Sequence, residues 1–218
     1  MRLVVFDVDG TLVDSQDHIH HAMSHAFAQV GLEPLPKAET LRIVGLSLPV
    51  AVRELAPRLS DAVQAAIVAA YKDSFARART QGIAPLFPGA RDCLDRLARR
   101  DDLLLAVATG KSRRGLDAMI LGHGLQGRFI SLQTADGHPS KPHPAMLLAA
   151  LSETGVPADR AVMIGDTGFD MAMAQAAGVT GLGVTWGYHP PQVLRDHGAA
   201  RLLDDFGALT QAIEEWAA

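Results

Sequence analysis

The sequence has one cysteine, few aromatic residues and no long apolar run, and each shortage excludes a class of protein. Cys93 is the only cysteine among 218 residues, which excludes an intrachain disulfide and a cysteine-based zinc finger. Aromatic residues make up 5% of the chain, too few for a platform that stacks single-stranded nucleic acid. No apolar run approaches the roughly 18 residues of a transmembrane helix. We therefore expect no membrane association and a reducing, cytoplasmic location.

The chain also lacks a large excess of charge of either sign. It contains 20 Lys and Arg residues against 24 Asp and Glu residues, which gives a formal net charge of −4. This balance lacks the positive field of a general nucleic-acid binder, so we expect no nucleic-acid partner. The hydrophobic fraction of 48% excludes a disordered chain. The length fits one large domain, or a core domain with a small insert.

Short continuous apolar runs predict the strands of a parallel sheet. They occupy residues 3–6, 103–108, 161–164, 179–184 and 200–203, with a weaker candidate at 129–132. Helical patterns lie between most of these runs. The alternation predicts an α/β fold, a doubly wound three-layer Rossmann-like parallel sheet with right-handed crossovers.

Residues 15–85 break this alternation. Apolar residues recur at helical spacing from Ile19 to Val30 and again from Val63 to Tyr71, with no convincing strand between them. This pattern predicts an all-helical cap inserted after the first strand. A Gly- and Pro-rich stretch, 82–89, marks a hinge at its exit. The predicted core then comprises residues 1–14 and 86–218.

Two carboxylates, Asp7 and Asp9, follow the first apolar run directly. Side chains two apart on an extended chain share a face, and ligands of open α/β sheets bind at the carboxyl ends of strands. Gly10 permits a tight turn immediately afterwards. Two close carboxylates repel each other unless a cation or a shared proton relieves them. This pair is therefore a candidate site.

Other predicted strands end in groups that suit the same site. Thr109 and Gly110 follow the run 103–108, where a hydroxyl and backbone N–H groups near a helix start suit an anion. Asp166 follows the run 161–164, and Asp170 lies four residues later. Lys141 lies in a Pro-rich loop between them. We expect these groups to meet at one edge of the sheet.

Together these segments resemble the four motifs of the haloacid dehalogenase superfamily. The first is the run DVDGTLVDS at 7–15, the second is TGK at 109–111, the third is KP at 141–142, and the fourth is GDTGFD at 165–170. The helical insert, the sequence KPHP at 141–144 and the hinge FPG at 87–89 resemble the phosphoglycolate-phosphatase-like branch.

The resemblance implies a Mg²⁺-dependent phosphatase acting on a small phosphorylated metabolite. Asp7 is then the nucleophile that forms an aspartyl phosphate, and Asp9 is the general acid and base. The implied ligands of Mg²⁺ are Asp7, the backbone carbonyl of Asp9, and Asp166. Asp170 is expected to orient the site from behind the residues that hold the metal, without being a ligand itself. The expected phosphate-binding residues are Gly10, Thr109, Gly110 and Lys141.

Several alternatives remain open from the sequence. A sugar phosphomutase of the same fold also keeps both motif-one acids, but it usually carries a histidine where this chain has Ile19. A non-enzymatic phospho-acceptor module is disfavoured by Asp9 and by the large cap. Arg42 lies in a segment that resembles a substrate-facing cap loop, so it is a candidate ligand for a substrate carboxylate or second phosphate. A phosphoglycolate-like ester, a sugar phosphate and a nucleotide all fit the core motifs, and the oligomeric state is open.

Overall fold

A parallel sheet forms the centre of the protein. The structure is a computed structural model of residues 1–218, and it is described here except for the side chains of residues 78–81. The strands are β1 (Arg2–Phe6), β2 (Leu103–Thr109), β3 (Ser131–Thr134), β4 (Ala161–Gly165), β5 (Thr180–Val184) and β6 (Ala199–Leu203). Their order across the sheet is β3-β2-β1-β4-β5-β6. The order reverses at β1, so its carboxyl end opens into the crevice where ligands bind in such sheets.

Helices cover both faces of the sheet. They are α5 (Ala90–Leu97), α6 (Arg113–Gly122), α7 (Ala145–Thr154), α8 (Gly168–Ala176), α9 (Pro191–Asp196) and α10 (Phe206–Ala217), with a short 3-10 turn at Ala158–Arg160. Successive residues of β1 point to opposite faces, with Val4 and Phe6 in one apolar cluster and Leu3 and Val5 in another. Burial on both faces explains why the strands are continuous apolar runs. The predicted α/β class and layered architecture are confirmed.

Four helices lie between β1 and α5. They are α1 (Gln16–Gln29), α2 (Lys37–Leu41), α3 (Leu48–Leu55) and α4 (Asp61–Gln81). Met23 and Phe27 of α1 pack with Val52 of α3 and Ile67 of α4 in an apolar cluster of their own. These helices agree with the pattern from which the cap was inferred. Treating 15–85 as a separate domain stays a proposal.

The two segments that connect these helices to the sheet run side by side. Val13 forms an antiparallel bridge with Leu86, and the Asp14 N–H donates to the Pro85 carbonyl at 2.9 Å. Phe87 N–H donates to the Leu12 carbonyl at 3.0 Å. This backbone pairing fixes both segments against each other at the point where the chain leaves and re-enters the sheet.

The edge strand β3 begins two residues later than the apolar run 129–132 predicts. Ile130 is 65% exposed, whereas the polar residues Ser131 and Gln133 are buried. Gln133 Nε2 donates to Ser131 Oγ at 2.8 Å, which satisfies polar groups that an edge strand would otherwise bury unpaired. Hydropathy alone therefore misplaces this strand.

Within the part of the chain that is described, no helix combines the length and apolar character needed to cross a bilayer.

Cys93 is buried on α5. Burial raises the pKa of its thiol to about 11, so the reactive thiolate form is rare at neutral pH. The cysteine thus fills a position in the core.

Candidate active site

The groups singled out in the sequence meet at the carboxyl edge of the sheet. Asp7 and Asp9 follow β1, Thr109 ends β2, Asp166 follows β4, and Lys141 comes from the loop between β3 and α7. The Asp7 N–H donates to the Ile164 carbonyl of β4 at 2.9 Å, which anchors the first acid at the strand end. Parallel strands bring these residues together although they are far apart in sequence.

Three acids and one lysine form a buried group that we call the inner acidic cluster: Asp7, Lys141, Asp166 and Asp170. Lys141 Nζ lies 2.9 Å from Asp7 Oδ1 and 2.6 Å from Asp170 Oδ1. All four residues are at most 1% exposed. Apart from the ion pair with Lys141, neither oxygen of Asp7 has a hydrogen-bond partner in the described part of the chain. A buried carboxylate with so few partners is costly, which makes Asp7 a candidate for the reactive position of the cluster.

The other two acids of the cluster are held firmly. Asp166 accepts hydrogen bonds from Thr11 Oγ1 at 2.8 Å and from the Tyr188 N–H at 2.9 Å. Asp170 Oδ2 accepts from the N–H of Thr167 at 3.0 Å and from its hydroxyl at 2.6 Å, closing a capping box at the start of α8. Asp170 therefore faces Lys141 from a helix start, the position expected of an orienting residue.

The inner acidic cluster contains more negative than positive charge. Burial raises the pKa of Asp7 to about 7, an effect that Lys141 opposes and that Asp170 reinforces. Burial also raises the pKa of Asp166 well above its ordinary value, with further contributions from Asp170 and Asp7. Burial alone lowers the pKa of Lys141, but Asp170 and Asp7 more than compensate and keep it charged. The cluster thus contains three carboxylates and one lysine, which pairs with two of them, Asp7 and Asp170.

A divalent cation fits this imbalance. One oxygen from each of Asp7, Asp166 and Asp170 lies within 4.8 Å of the others. Carboxylate oxygens are the donors that Mg²⁺ prefers, and Asp7 Oδ2 has no hydrogen-bond partner among the described residues. The two charges of the metal would compensate the surplus. The residues present therefore fit a hard divalent metal.

Asp9 has different surroundings. Lys111 Nζ lies 2.8 Å from both of its oxygens, and Ser15 Oγ donates to Oδ1 at 2.6 Å. The Tyr188 hydroxyl lies 3.2 Å from the Ser15 hydroxyl and accepts from the Ser15 N–H at 3.0 Å. The second acid is therefore fully partnered, by residues outside the inner acidic cluster.

At two positions of the site, neighbouring atoms lie so close to the backbone that only glycine fits. Gly10 has φ +86°, and a Cβ there would overlap the Asp166 carboxylate. A Cβ on Gly110 would lie 2.5 Å from the Gly45 carbonyl oxygen and 2.7 Å from that of Leu46. Gly110 therefore lets the loop at 43–47 lie directly against the end of β2, beside Thr109, whose hydroxyl accepts from the Lys111 N–H at 3.3 Å.

A cavity of about 470 Å³ opens above these residues. Its floor includes Asp7, Asp9 and Thr109, and its walls include Ile19 of α1 and Phe75 of α4. The volume suits a small ligand. The helices between β1 and α5 thus enclose the groups at the sheet edge.

Arg42 is not brought into this cavity. Its guanidinium is 56% exposed and lies 3.5 Å from Glu39, and it is absent from the lining residues. Its backbone carbonyl instead accepts from Nε2 of His189, whose Nδ1 accepts from the Gly168 N–H. Burial lowers the pKa of His189, which favours the neutral ring that this arrangement requires. The arrangement gives no support to a substrate role for Arg42.

Sequence reasoning missed several residues around Asp9. Lys111 was noticed only as part of a motif, although a cation directly after Thr109-Gly110 at a strand end is a signal for a charged partner. Tyr188 and His189 lie in the loop after β5 and gave no signal, since that loop carries no motif. Their roles come from contacts between segments more than 140 residues apart.

Comparisons with known proteins agree with this geometry. The family model described as haloacid dehalogenase-like hydrolase matches residues 4–184. A protein named "Probable phosphatase IndB" from Dickeya dadantii is 36% identical over 216 residues, covering 96% of this chain and 92% of that protein. The "Phosphoglycolate phosphatase" of Rhodospirillum rubrum is 34% identical, covering 95% and 89%.

A solved structure has the same fold over its full length. It is the crystal structure of a hydrolase from Pseudomonas syringae, with a TM-score of 0.89 and 26% identity, and the match covers 100% of both chains. The family model spans the strand ends that carry Asp7, Thr109, Lys141 and Asp166. The chain therefore belongs to the haloacid dehalogenase-like hydrolases and resembles their phosphoglycolate phosphatases, as its four motifs predict.

Proposed function

We propose that this protein is a Mg²⁺-dependent phosphatase that hydrolyses a small phosphate monoester through an aspartyl-phosphate intermediate. The observation that carries the proposal is Asp7, a buried carboxylate at the floor of a small cavity whose only partner in the described part of the chain is Lys141. Similarity to proteins named phosphatases over nearly the whole chain supports the reaction class.

In the first step, an Asp7 oxygen attacks phosphorus and forms an acyl phosphate, while the bond from phosphorus to the ester oxygen breaks. Asp9 gives its proton to the departing oxygen. In the second step, Asp9 takes a proton from a water molecule that attacks the phosphorus. Inorganic phosphate then leaves, and Asp7 is restored.

Other residues hold the transferring group. Lys141 already lies 2.9 Å from Asp7, so its ammonium is placed to compensate charge on the phosphoryl oxygens. Thr109 and the backbone N–H of Gly110 at the end of β2 are the remaining donors that we assign to this group. Bound at Asp7, the Asp9 carbonyl and Asp166, Mg²⁺ would reduce the repulsion between an anionic nucleophile and an anionic ester.

Water is the acceptor favoured over a second sugar hydroxyl. Ile19 lines the cavity and is 6% exposed, at the position where the phosphomutase pattern places a histidine. An apolar side chain cannot exchange a proton with a sugar hydroxyl. This supports hydrolysis over the mutase alternative.

The test is phosphate release from a panel of monoesters that includes phosphoglycolate, sugar phosphates and nucleoside monophosphates, each assayed with Mg²⁺ and with EDTA. We expect metal-dependent release that Asp7→Asn abolishes. Metal-independent turnover, or full activity in Asp7→Asn, would contradict the mechanism. Conversion of a sugar phosphate into its isomer without phosphate release would instead support the mutase.

A further inference from the structure

Lys111 lies at the junction between Asp9 and the cavity wall. Its Nζ is 2.8 Å from both oxygens of Asp9, and its side chain is 11% exposed. On the other side, the ammonium lies 5.0 Å from the centroid of the Phe75 ring of α4, at cation–π distance. Lys111 therefore joins the second motif-one acid to the helices above it.

The charges around Lys111 favour an anion. Beyond Asp7 and the Asp9–Lys111 ion pair, the charged lining of the cavity consists of Lys72, Arg114 and one acid, Asp136, among the described residues. Cations grouped in a partly enclosed cleft raise the local concentration of anionic ligands. The outer part of the cavity thus carries the sign opposite to that of the inner acidic cluster.

We propose that Lys111 is a specificity-determining residue that selects phosphate monoesters carrying a second anionic group close to the ester oxygen. The inference rests on the proposed function, in which Asp9 contacts that ester oxygen. Since Nζ lies within 3 Å of Asp9, a carboxylate or second phosphate one or two bonds beyond the ester oxygen comes within its reach.

The chemistry of lysine suits this role. An ammonium has three N–H donors, so it can keep a contact with Asp9 while donating to a ligand. Four rotatable bonds allow it to follow ligands of slightly different length. A neutral group at the same place would gain no charge-assisted hydrogen bond from Lys111, which lowers affinity for uncharged esters.

A purely structural role predicts a different outcome. If Lys111 only held Asp9 in place, its removal would slow every ester to a similar extent, because Asp9 acts on all of them. If it also binds the second anion, the loss depends on the substrate. The discriminating experiment therefore needs two esters that differ in charge alone.

Phosphoglycolate and its amide, phosphoglycolamide, form such a pair. We propose measuring kcat and KM for both with wild type, Lys111→Met and Lys111→Arg in the presence of Mg²⁺. Lys37→Met is the matched control, since Lys37 forms an exposed ion pair with Asp17 and lies outside the cavity lining. We expect Lys111→Met to raise KM for the acid about 10- to 100-fold and KM for the amide less than about threefold, because a charge-assisted hydrogen bond is lost only for the acid.

Lys111→Arg should restore most of the affinity for the acid, because it keeps the charge. An equal loss of kcat/KM on the acid and the amide, or no loss on either, would overturn the inference. So would a wild type that hydrolyses both esters with the same KM.

A binding measurement separates this inference from the proposed function. Isothermal titration of phosphoglycolate into Asp7→Asn, with and without Lys111→Met, reports affinity without turnover. We expect the second substitution to weaken binding at least about tenfold, and unchanged affinity would overturn the inference. A wild type that releases phosphate from no ester on the panel contradicts the phosphatase proposal itself, whereas a wild type that hydrolyses acid and amide alike contradicts only the role of Lys111.

Discussion

Asp7 and Asp9 are the same residue type, two positions apart at one strand end, yet their surroundings are opposite. Asp7 lies in the inner acidic cluster, where Lys141 pairs with two of the three carboxylates and is the only partner of Asp7 in the described part of the chain. Asp9 has its own cation, Lys111, and a hydroxyl donor. In the mechanism that we propose, the different roles of the two acids follow from how completely each charge is compensated.

The same comparison explains where a cation is needed. The inner acidic cluster has a surplus of negative charge in a region without solvent, so it favours either a proton or a metal. Asp9 has a cation of its own, Lys111, in a pair that is only 11–13% exposed, so its charge needs no metal ion to compensate it. Substitutions on the two sides should therefore differ in their effects on activity and on stability.

The largest expected effect is on activity in Asp7→Asn. An amide cannot serve as the nucleophile, so we expect kcat to fall by at least about 10⁴-fold. Because the substitution removes one of three buried like charges, the metal-free protein should also become more stable. Steady-state phosphate release and thermal melts in EDTA measure both quantities.

The control for Asp7→Asn is Asp102→Asn. Asp102 pairs with Arg100 at the opposite edge of the sheet, just before β2. It should change neither kcat nor, by more than a few tenths of a kcal/mol, the free energy of unfolding. A metal-free Asp7→Asn protein that melts below the wild type would contradict the charge surplus.

The next effect is the loss of kcat in Asp9→Asn. General acid–base groups contribute about 10²- to 10⁴-fold, and we expect a loss in that range on alkyl phosphates. Esters with good leaving groups, such as p-nitrophenyl phosphate, need less protonation and should lose less in the step that breaks the ester bond. Rapid-quench measurement of the first turnover isolates this step, and an equal loss on both classes of ester would argue against Asp9 as the acid.

The strands of the sheet and most residues of the candidate site could be predicted from the sequence. Buried parallel strands are continuous apolar runs, so the strand ends and the polar residues after them were readable, and Asp7, Asp9, Thr109 and Asp166 meet as expected. The order of motifs around the chain then identified the family. These signals are local, and the topology of a parallel sheet converts them into one site.

What could not be predicted depends on contacts between distant segments. The partnership of Asp9 with Lys111 spans 102 positions, and that of Ser15 with Tyr188 spans 173. Arg42 was expected to face substrate because of its loop, but its exposed side chain pairs with Glu39 and only its carbonyl contacts the core segment at His189. No periodicity encodes the direction of a side chain on a loop.

A moderate effect is expected on the pH dependence of stability without metal. Burial raises the pKa of Asp7 to about 7 in the folded chain, whereas the unfolded chain keeps the ordinary value of 3.8. Between these values the folded state binds more protons than the unfolded state, so its stability falls as pH rises from about 4 to 7. The raised pKa of Asp166 acts in the same direction.

The free energy of unfolding in EDTA should therefore fall by a few kcal/mol across this range, with the order of magnitude set by about 1.4 kcal/mol per unit of pKa. Urea unfolding at pH 5 and pH 8 measures it, and Asp7→Asn should flatten the dependence. With excess Mg²⁺ the loss at pH 8 should shrink, because the metal stabilises the ionised acids. A metal-free stability that rises over this range would contradict the assignment.

The smallest expected effect concerns the contact that joins the helices above the cavity to the sheet edge. The Ser47 N–H donates to Ser140 Oγ at 2.8 Å, and this bond holds the loop at 43–47 beside Gly110 and next to the lysine of the inner acidic cluster. Ser140→Ala removes the acceptor, at a cost of about 1 kcal/mol. Hydrogen exchange of the Ser47 amide should accelerate about five- to tenfold, and KM should rise by less than tenfold with little change in kcat.

The control is Ser152→Ala, because Ser152 is an exposed residue of α7. If Ser140→Ala lowers kcat and leaves the exchange of Ser47 unchanged, then Ser140 supports the neighbouring Lys141, and the loop is held by its close approach to Gly110 instead of by this bond.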